Sequence, residues 1–517
     1  MGSANRVATN TIILYARMAI TMFVSLYATR LILAALGAAD YGIFSVVGGA
    51  VAMLTFLNTA MVITSQRFMS YAEGEGDFQK QKNIFNVSIV LHFGIGLVIV
   101  VLLEVFSVFL FDGILNIEPD RMGAAKMVYH FMVVSTFFTV ISVPYDAVIN
   151  AHENMLFVAV TGILESVLKL AIAFAITYTA FDKLIVYGML MASMYVLLLV
   201  VRRVYCHLKY EEVSINVRKY FSWPLFNQMT GFAGWSFLGS AVSVLTNYGQ
   251  GIILNVFFGT TINAAQGVSN QVSGQLGAFS GNMMKALNPV IVKNEGAGMR
   301  DRMLRISFTG SKIGFYLLAL FTIPIMIEMP IIFDFWLKDI PEFAIIFCRL
   351  LLLRNLVTQL FLPLVTAISA TGKIKGYQIG DALLTFLPLP ISFILFREGY
   401  SPATLYVVFL LLVIFRSFGV VLYQAKAQCG ISIGEFFKDV ISRCIGVAVF
   451  SAGMGMLPFY FLEPGLLRVA LVFLFFGTTY AGLTYWIGLN KSERKNLHGV
   501  VSSVFAKVPY LKGSSLF

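Results

Sequence analysis

The residues best placed to do chemistry are charged side chains that lie inside long apolar runs. Eight are basic and three are acidic: Arg17, Arg30, Lys169, Lys285, Lys312, Arg349, Arg354 and Arg416, and Glu104, Glu165 and Asp381. A charge in apolar surroundings is costly, so each is by default a candidate for binding or coupling. The excess of positive charge predicts an interior that suits an anion, such as a phosphate or pyrophosphate, better than a cation.

Position within each run separates these charges into groups. Arg354 and Arg416 lie near the middle of their runs, where a side chain cannot easily reach the membrane surface, and both are predicted to face a cavity. Arg17 and Arg30 lie near the ends of one run, so each either snorkels to the surface or faces the cavity. Because their positions differ by roughly 220° around a helix, they cannot face the same way on a straight one.

One acidic and one basic residue have the spacing of a pair on a single helix turn. Glu165 precedes Lys169 by four residues, which is the favourable order for an ion pair. The pair is either structural and self-neutralising or an ion-coupling site that opens when substrate or ion binds. Asp381, near the end of another run, is likewise either a structural residue or an ion-coupling residue.

Amide side chains form a second polar feature, in the segment "INAAQGVSNQVSGQLGAFSGNMMKALNP" that begins at residue 262. A helix this polar either packs its small residues against other helices or lines water. The repeated amides favour a cavity lining, and Gln266, Asn270 and Gln275 are the candidates. Pro289 is predicted to kink or end this helix.

The whole composition requires a membrane. Of 517 residues, 58% are hydrophobic and only 12% are charged, whereas about 25% charged residues is usual for soluble proteins. Fourteen apolar runs predict an all-α polytopic membrane protein with about 14 transmembrane helices. The runs are 12–36, 42–64, 84–111, 124–143, 154–180, 184–206, 225–258, 262–290, 306–330, 343–369, 377–396, 403–425, 440–460 and 466–488.

The basic residues between these runs predict the orientation. With the N-terminus in the cytoplasm, 23 of the 37 Lys and Arg residues fall on the inner side and six on the outer side. Both termini are therefore predicted to be cytoplasmic. Because the positive charge follows topology, no nucleic-acid partner is expected, only membrane lipids and a cargo.

Catalysis and cofactors find no support in the sequence. No predicted loop exceeds about 20 residues, the outer loops contain no His, and the four Cys and five His residues lack metal-ligand spacing. We therefore expect no catalytic residue, metal or cofactor, and a protein that is not an enzyme.

Two glycine-rich stretches, "AEGEG" and "NEGAG", expose an internal repeat at an offset of 222 residues. Glu73, Gly74 and Gly76 match Glu295, Gly296 and Gly298, and Pro144 matches Pro363 at an offset of 219. The repeat predicts two pseudo-symmetric six-helix lobes, 1–222 and 223–430, and two further helices with a basic tail in 431–517. The repeat also pairs Asn58 with the amide-rich helix, as a cavity candidate.

The glycine stretches themselves follow helix ends rather than strands, so they predict helix stops and not phosphate loops. If they act in function, they do so as hinges or gates. The candidates for that role are Gly74, Gly76, Pro144, Pro289, Gly296 and Gly298.

Three segments carry a resemblance to a known family. The segment "LGAADYGIFSVVGGAVAMLTFLNTAMVITSQRFMSYAEGEGD", "PYDAVINAHENM" and "FGTTINAAQGVSNQVSG…NPVIVK" resemble bacterial lipid-linked oligosaccharide flippases of the O-antigen (Wzx) type, in the multidrug/oligosaccharidyl-lipid/polysaccharide exporter superfamily. The resemblance implies two lobes forming a V, a central cationic cavity and alternating access in the bacterial inner membrane. The implied cargo is an undecaprenyl-diphosphate-linked repeat unit of a surface polysaccharide, and the implied partner is polysaccharide polymerase machinery.

The resemblance also implies roles for particular cations. Arg17, Arg30, Arg354 and Arg416 are then candidates to bind the diphosphate or acidic sugars. Arg67, in "SQRF", matches a family position at the inner mouth, where it either meets the diphosphate or anchors its helix.

Two other functions compete with a flippase. A multidrug or organic-cation antiporter of the same superfamily is expected to have an acidic cavity, which the positive interior opposes. A membrane-embedded polysaccharide polymerase or ligase is expected to present catalytic residues on a sizeable outer loop.

Overall fold

The computed structural model describes residues 3–52, 55–111, 117–337 and 340–495. Several of its helices begin at a polar residue that caps the first turn. The side chain of Asp77 accepts a hydrogen bond from the backbone N–H of Lys80, and Asn154 and Asp182 cap two later helices in the same way. Each cap satisfies a donor that a helix start leaves unpaired. The expectation of an all-helical chain is confirmed, since the described residues contain helices and no strand.

The first half of the described chain contains helices α1 to α9. Their bounds are α1 Ser3–Ala52, α2 Thr55–Glu75, α3 Phe78–Phe109, α4 Met122–Ala151, α5 Met155–Tyr178, α6 Lys183–Lys209, α7 Val217–Tyr220, α8 Trp223–Phe258 and α9 Thr260–Gly296. Within α1, Gly37 has non-helical angles (φ 78°, ψ 168°), so α1 is two helical segments joined at a kink.

The second half contains helices α10 to α19 and three π-helical turns. The helices are α10 Arg300–Ile327, α11 Met329–Trp336, α12 Ala344–Ala370, α13 Lys375–Phe386, α14 Pro388–Arg397, α15 Ala403–Phe415, α16 Leu422–Cys429, α17 Ile433–Phe436, α18 Ser442–Phe461 and α19 Leu466–Leu483. The π-helical turns are Arg416–Val421, Phe437–Ile441 and Thr484–Gly488.

Twelve helices among the described residues are long and apolar enough to cross a membrane. The chain is therefore a multi-pass membrane protein, but the predicted count of fourteen is not confirmed. The predicted runs 42–64 and 262–290 are helical where they are described, but they do not belong to the twelve. The run 262–290 is absent from the twelve because the amides and glycines of α9 lower its hydropathy.

The backbone repeats itself where the sequence does. Gly37 and Gly259 have φ of 78° and 77°, and Gly76 and Gly298 have φ of 72° and 70°. Both pairs are separated by 222 residues. These left-handed conformations favour glycine, since a Cβ atom is strained there. The repeated glycines therefore mark equivalent helix ends in the two halves.

The chain divides into two compact units. The N-terminal unit comprises Ile12–Val244 and Gly296–Gly298, and the C-terminal unit comprises Met1–Thr11, Leu245–Glu295 and Met299–Phe517. The boundary crosses α8, which thus contributes to both units. The lobe boundaries predicted from the sequence stay predictions.

Each unit is built around one long helix. In the N-terminal unit, α4 packs against α2, α3 and α6, and α5 packs against α6. In the C-terminal unit, α12 packs against α10 and α15, while α18 and α19 pack on each other and on α10. Pro144 in α4 and Pro289 in α9 both lie inside helices that continue past them. The alternative that Pro289 ends its helix is therefore wrong, because α9 extends to Gly296.

An arginine joins three helices at one end of the N-terminal unit. Arg121, just before α4, donates hydrogen bonds to Asp40 of α1 at 2.9 and 2.6 Å and to Asp182 of the α6 cap at 2.6 Å. Partial burial alone would raise the pKa of the Asp182 carboxyl, but the hydrogen bonds from Arg121 and from the backbone N–H of Ile185 outweigh it and lower that pKa.

Replacing Arg121 by methionine is expected to lower the stability of the N-terminal unit by about 1 kcal/mol at neutral pH. A carboxyl whose pKa is lowered by folding stabilises the fold above its unfolded pKa of 3.8 and ceases to do so as pH falls. The difference in melting temperature between wild type and Arg121→Met should therefore shrink as pH falls below about 4. A difference that is independent of pH would contradict the role of Asp182.

Two buried ion pairs attach the C-terminal segment to α10 and its neighbour. The Lys312 ammonium lies 2.6 Å from Glu493, and Arg468 lies 2.9 Å from Glu328. All four side chains are less than one-tenth exposed. Thr309 also donates to Glu493 at 2.9 Å, so this carboxylate is well supplied with donors.

Replacing Lys312 by methionine leaves the Glu493 carboxylate buried without its counter-ion, which typically costs about 3–5 kcal/mol. We expect a large fall in the detergent melting temperature. Much of that fall should be recovered when Glu493 is also replaced by methionine. Lys491→Met is the control, because Lys491 is exposed. Equal melting temperatures for wild type and Lys312→Met would contradict the buried pair.

Candidate functional site

Helix α9 uses one face to bind α12 through side-chain hydrogen bonds. The contacts run from Ser269 to the Ala344 carbonyl (3.2 Å), from Asn355 to Ser273 (2.7 Å), from Ser280 to Gln359, and from Thr366 to Asn288 (2.9 Å). They extend from residue 269 to residue 288, over the central half of α9. Such bonds between membrane helices fix register, because lipid supplies no competing partner.

The amide side chains of α9 lie on a different face. Asn270, Gln271 and Gln275 are exposed and fall within an arc of about 140°. We call these three residues the α9 amide face. Two glycines beside it, Gly267 and Gly274, are also exposed. Six or more donors and acceptors at this position are poorly suited to lipid, so the face is a candidate lining of a water-filled space.

Gln266, the remaining amide that the sequence predicted to line a cavity, is instead packed between helices. Gln266 is 7% exposed and packs beside Gly251 of α8. Its neighbour Asn263 donates to the Gly251 carbonyl at 3.1 Å. The structure thus separates Gln266 from Asn270 and Gln275, which the sequence predicted together.

Arg416 lies at the start of a π-helical turn and contacts an acidic residue of α13. Its guanidinium is 3.4 Å from Asp381, which also accepts a hydrogen bond from Tyr377 at 3.0 Å. π-helical turns often occur at functional sites. Asp381, which the sequence left as a coupling or structural residue, is thus joined to a predicted cavity arginine.

Arg354 lies close to this pair in the C-terminal unit. Its guanidinium is 5.5 Å from the centroid of the Phe409 ring, within the range of a cation–π interaction. Arg354 also interacts electrostatically with Arg416 and Tyr406. The structure therefore brings two predicted cavity arginines and Asp381 into one cluster, which we call the arginine cluster.

In the N-terminal unit, a second cation joins the predicted Glu165–Lys169 pair on α5. The Lys169 ammonium lies 2.7 Å from Glu165, and Arg17 of α1 interacts electrostatically with the same carboxylate. Arg17 lies against Gly162, one turn from Glu165, where a Cβ atom would collide with its guanidinium. Glu165 is therefore shared between two cations, which no i, i+4 spacing could indicate.

The remaining predicted site residues are more scattered. Arg30 is exposed, and Asn58 on α2 is half-buried. The Arg67 guanidinium lies 4.6, 4.7 and 5.6 Å from the ring centroids of Phe68, Tyr71 and Phe232. Such a ring cluster holds the cation in place and favours the anchoring interpretation of Arg67.

The glycine-rich stretches lie at the ends of α2 and α9. Gly74 is within the last turn of α2, and Gly76 follows that helix with φ of 72°. Gly296 is the last residue of α9, and a Cβ atom there would collide with the backbone carbonyl of Tyr71. This contact lies within the N-terminal unit. A glycine is needed at position 296 because the two backbones approach closely there. A glycine is favoured at position 298 for a different reason, its left-handed φ of 70°.

A histidine near the first glycine stretch was not singled out from the sequence. His152, at the α4–α5 turn, lies 2.5 Å from Glu212 and 3.5 Å from Glu73, and its ring stacks on Tyr210 at 4.3 Å. Glu212 is 3% exposed. His152 and Glu212 are 60 positions apart, with no periodic signal that links them, so only the fold shows this network.

Pairing changes the charge balance that the sequence predicts. Lys169, Lys312 and Arg416 each contact a carboxylate. Arg349 donates to the Met326 carbonyl at 2.9 Å. The partner of Lys312 is Glu493, which lies beyond the last apolar run. Glu165 and Asp381 are already among the three acidic residues of the sequence count, so only Glu493 alters it, from eight-to-three to eight-to-four. The objection to a cationic cargo is therefore only slightly weaker.

Comparison with known proteins shows which solved structures share this fold. The MatE family model matches residues 7–175, and a search of curated proteins found no match. The chain resembles the crystal structure of a MATE point mutant, with a TM-score of 0.71, 13% identity and coverage of 83% of this chain and 100% of the other.

Two further solved structures are also similar. One is an outward-facing multidrug resistance MATE transporter of the MOP superfamily, with a TM-score of 0.70, 13% identity and coverage of 83% and 97%. The other is a MOP superfamily transporter from Pyrococcus furiosus, whose binding pocket is described as having reversed polarity, with a TM-score of 0.69, 13% identity and coverage of 84% and 99%. The chain therefore has the fold of the MATE transporters.

Proposed function

We propose that the chain is a transporter of the MATE type that works by alternating access. The observation that carries this proposal is the α9 amide face, because exposed amides on a helix that is bound to α12 by its other face fit a water-filled path better than lipid. A catalytic role has no such support. The protein is then a carrier rather than an enzyme, in a cytoplasmic membrane with both termini inside.

An organic solute of the multidrug type is the cargo that the comparisons favour. The neighbours include a multidrug resistance transporter. Carboxylates pair with three of the eight interior cations, which weakens the positive field around those three side chains. The α9 amide face offers neutral donors and acceptors, which bind varied polar groups without selecting one charge.

A lipid-linked oligosaccharide is the second candidate, and the arginine cluster favours it. Asp381 contacts Arg416, and Arg354 interacts electrostatically with Arg416, so two cations and one carboxylate leave a net positive charge here. Arginine is well suited to phosphate because its planar fork donates two parallel hydrogen bonds. The described reversal of pocket polarity in the Pyrococcus furiosus neighbour concerns that protein, but it is compatible with different cargoes on this fold.

The test that separates these functions is deletion of the gene in its natural host. Increased sensitivity to organic cations, restored by the wild-type gene, would support the multidrug type. Accumulation of an undecaprenyl-diphosphate-linked glycan with loss of a surface polysaccharide would support the flippase, with polymerase machinery as its partner. A strain unchanged in both would contradict the two cargo proposals, and transport by neither class in proteoliposomes would contradict the transporter.

A further inference from the structure

A charged cluster on an exposed side of the N-terminal unit has no part in the proposed transport path. His130 of α4 lies 3.0 Å from Glu104 of α3, and the two side chains are 56% and 41% exposed. Lys126, one turn before His130, is also exposed. These groups belong to helices that are long and apolar enough to cross the membrane.

The depth of the Glu104–His130 pair makes this exposure costly. Glu104 lies five residues before the end of α3, and His130 lies eight residues after the start of α4. At 1.5 Å per residue, they are about 8 and 12 Å from those helix ends. The neighbouring Val101, Val105 and Val108 are 56–59% exposed, as expected for a surface that faces acyl chains. A charge at this depth is expensive unless a polar group covers it.

A cleft beside the pair has room for such a group. Its volume is about 230 Å³, and its lining consists of Ser107, Val108, Phe111, Lys126 and His130. The Lys126 ammonium lies 5.7 Å from the centroid of the Phe111 ring. The cleft therefore has a positive side at Lys126, and the Glu104 carboxylate supplies a negative group next to His130.

We propose that this cleft binds the headgroup of a phospholipid that carries both a phosphate and a primary ammonium. The phosphate accepts hydrogen bonds from Lys126, and the ammonium donates to Glu104. An acyl chain then covers the ridge formed by Val101, Val105 and Val108. A zwitterionic headgroup matches both charges, whereas an anionic lipid would meet repulsion from Glu104 and a quaternary ammonium could not donate to it.

The test uses the full chain in nanodiscs made from equal parts of phosphatidylethanolamine, phosphatidylcholine and phosphatidylglycerol. Lipids retained after mild delipidation are counted by native mass spectrometry. We expect retention of phosphatidylethanolamine over phosphatidylcholine by about tenfold, since one charge-assisted hydrogen bond contributes roughly that factor. Equal retention of all three lipids would overturn the proposal.

Matched variants test which residue contacts the ammonium and which contacts the phosphate of the headgroup. Glu104→Gln should remove the preference for phosphatidylethanolamine over phosphatidylcholine, and Lys126→Met should lower the retention of both. The controls at the same end of the unit are Glu118→Gln and Lys183→Met, which should change neither. None of the four positions belongs to the α9 amide face, the arginine cluster or the group of Arg17, Glu165 and Lys169, so transport should continue.

Three outcomes would contradict this assignment. Preferential retention of phosphatidylglycerol that depends on Lys126 alone would identify an anionic-lipid site. Unchanged selectivity in Glu104→Gln would exclude the ammonium contact. A dimer in light scattering that dissociates in Glu104→Gln would show that a second copy of the chain, rather than a lipid, covers Glu104 and His130.

Discussion

Transport is expected to be lost when Arg416 is replaced by glutamate. The variant places a second carboxylate beside Asp381, where the wild-type guanidinium lies 3.4 Å away. Two carboxylates in one partly buried site repel each other and favour protonation of one of them. We expect at least a tenfold fall in the transport rate in proteoliposomes, which corresponds to about 1.4 kcal/mol of activation free energy.

The design of this experiment separates transport from folding. The charge swap that combines Arg416→Asp with Asp381→Arg restores the ion pair and should restore protein levels, but it moves the cation to α13. If Arg416 binds cargo, the swap stays inactive; if the pair is structural, activity returns. Arg397→Glu is the control, since Arg397 lies at an exposed helix end. Full activity of Arg416→Glu at normal membrane levels would contradict any role for the arginine cluster.

A single methyl group is expected to disable the N-terminal unit. In Gly162→Ala, the new Cβ atom occupies the space of the Arg17 guanidinium, so this flexible side chain must move away from Glu165. Alanine is otherwise favourable within a helix, by about 1 kcal/mol relative to glycine. The variant should therefore remain folded while its transport rate falls by about tenfold or more, as expected for a displaced binding or coupling group.

Two comparisons make this prediction specific. If displacement of Arg17 is the cause, Arg17→Gln should reproduce the loss, and the double variant should be no worse than either single one. Gly94→Ala on α3 is the matched control, because a Cβ atom at Gly94 has open space around it. Losses that add in the double variant would show that Gly162 acts independently of Arg17.

The sequence by itself determined the class of the protein, the helices and the repeat. Lipid offers no partner to an unpaired backbone group, so long apolar runs with few charges must be helices. Hydropathy is a local property, and all fourteen predicted runs are helical over nearly their whole length where they are described. Gly76 and Gly298, the second glycines of the two E-G-x-G stretches, could be placed in the same way, since left-handed helix ends select glycine locally.

Only the tertiary structure decided which polar groups meet. Glu165 and Lys169 could be paired from the sequence because one helix turn joins them, but Arg17 comes from a separate helix. Arg416 and Asp381, Lys312 and Glu493, and His152 and Glu212 are likewise brought together by helix packing. A count of charges within apolar runs cannot show these contacts, and it therefore omitted Glu493, which lies beyond the last run but pairs with Lys312.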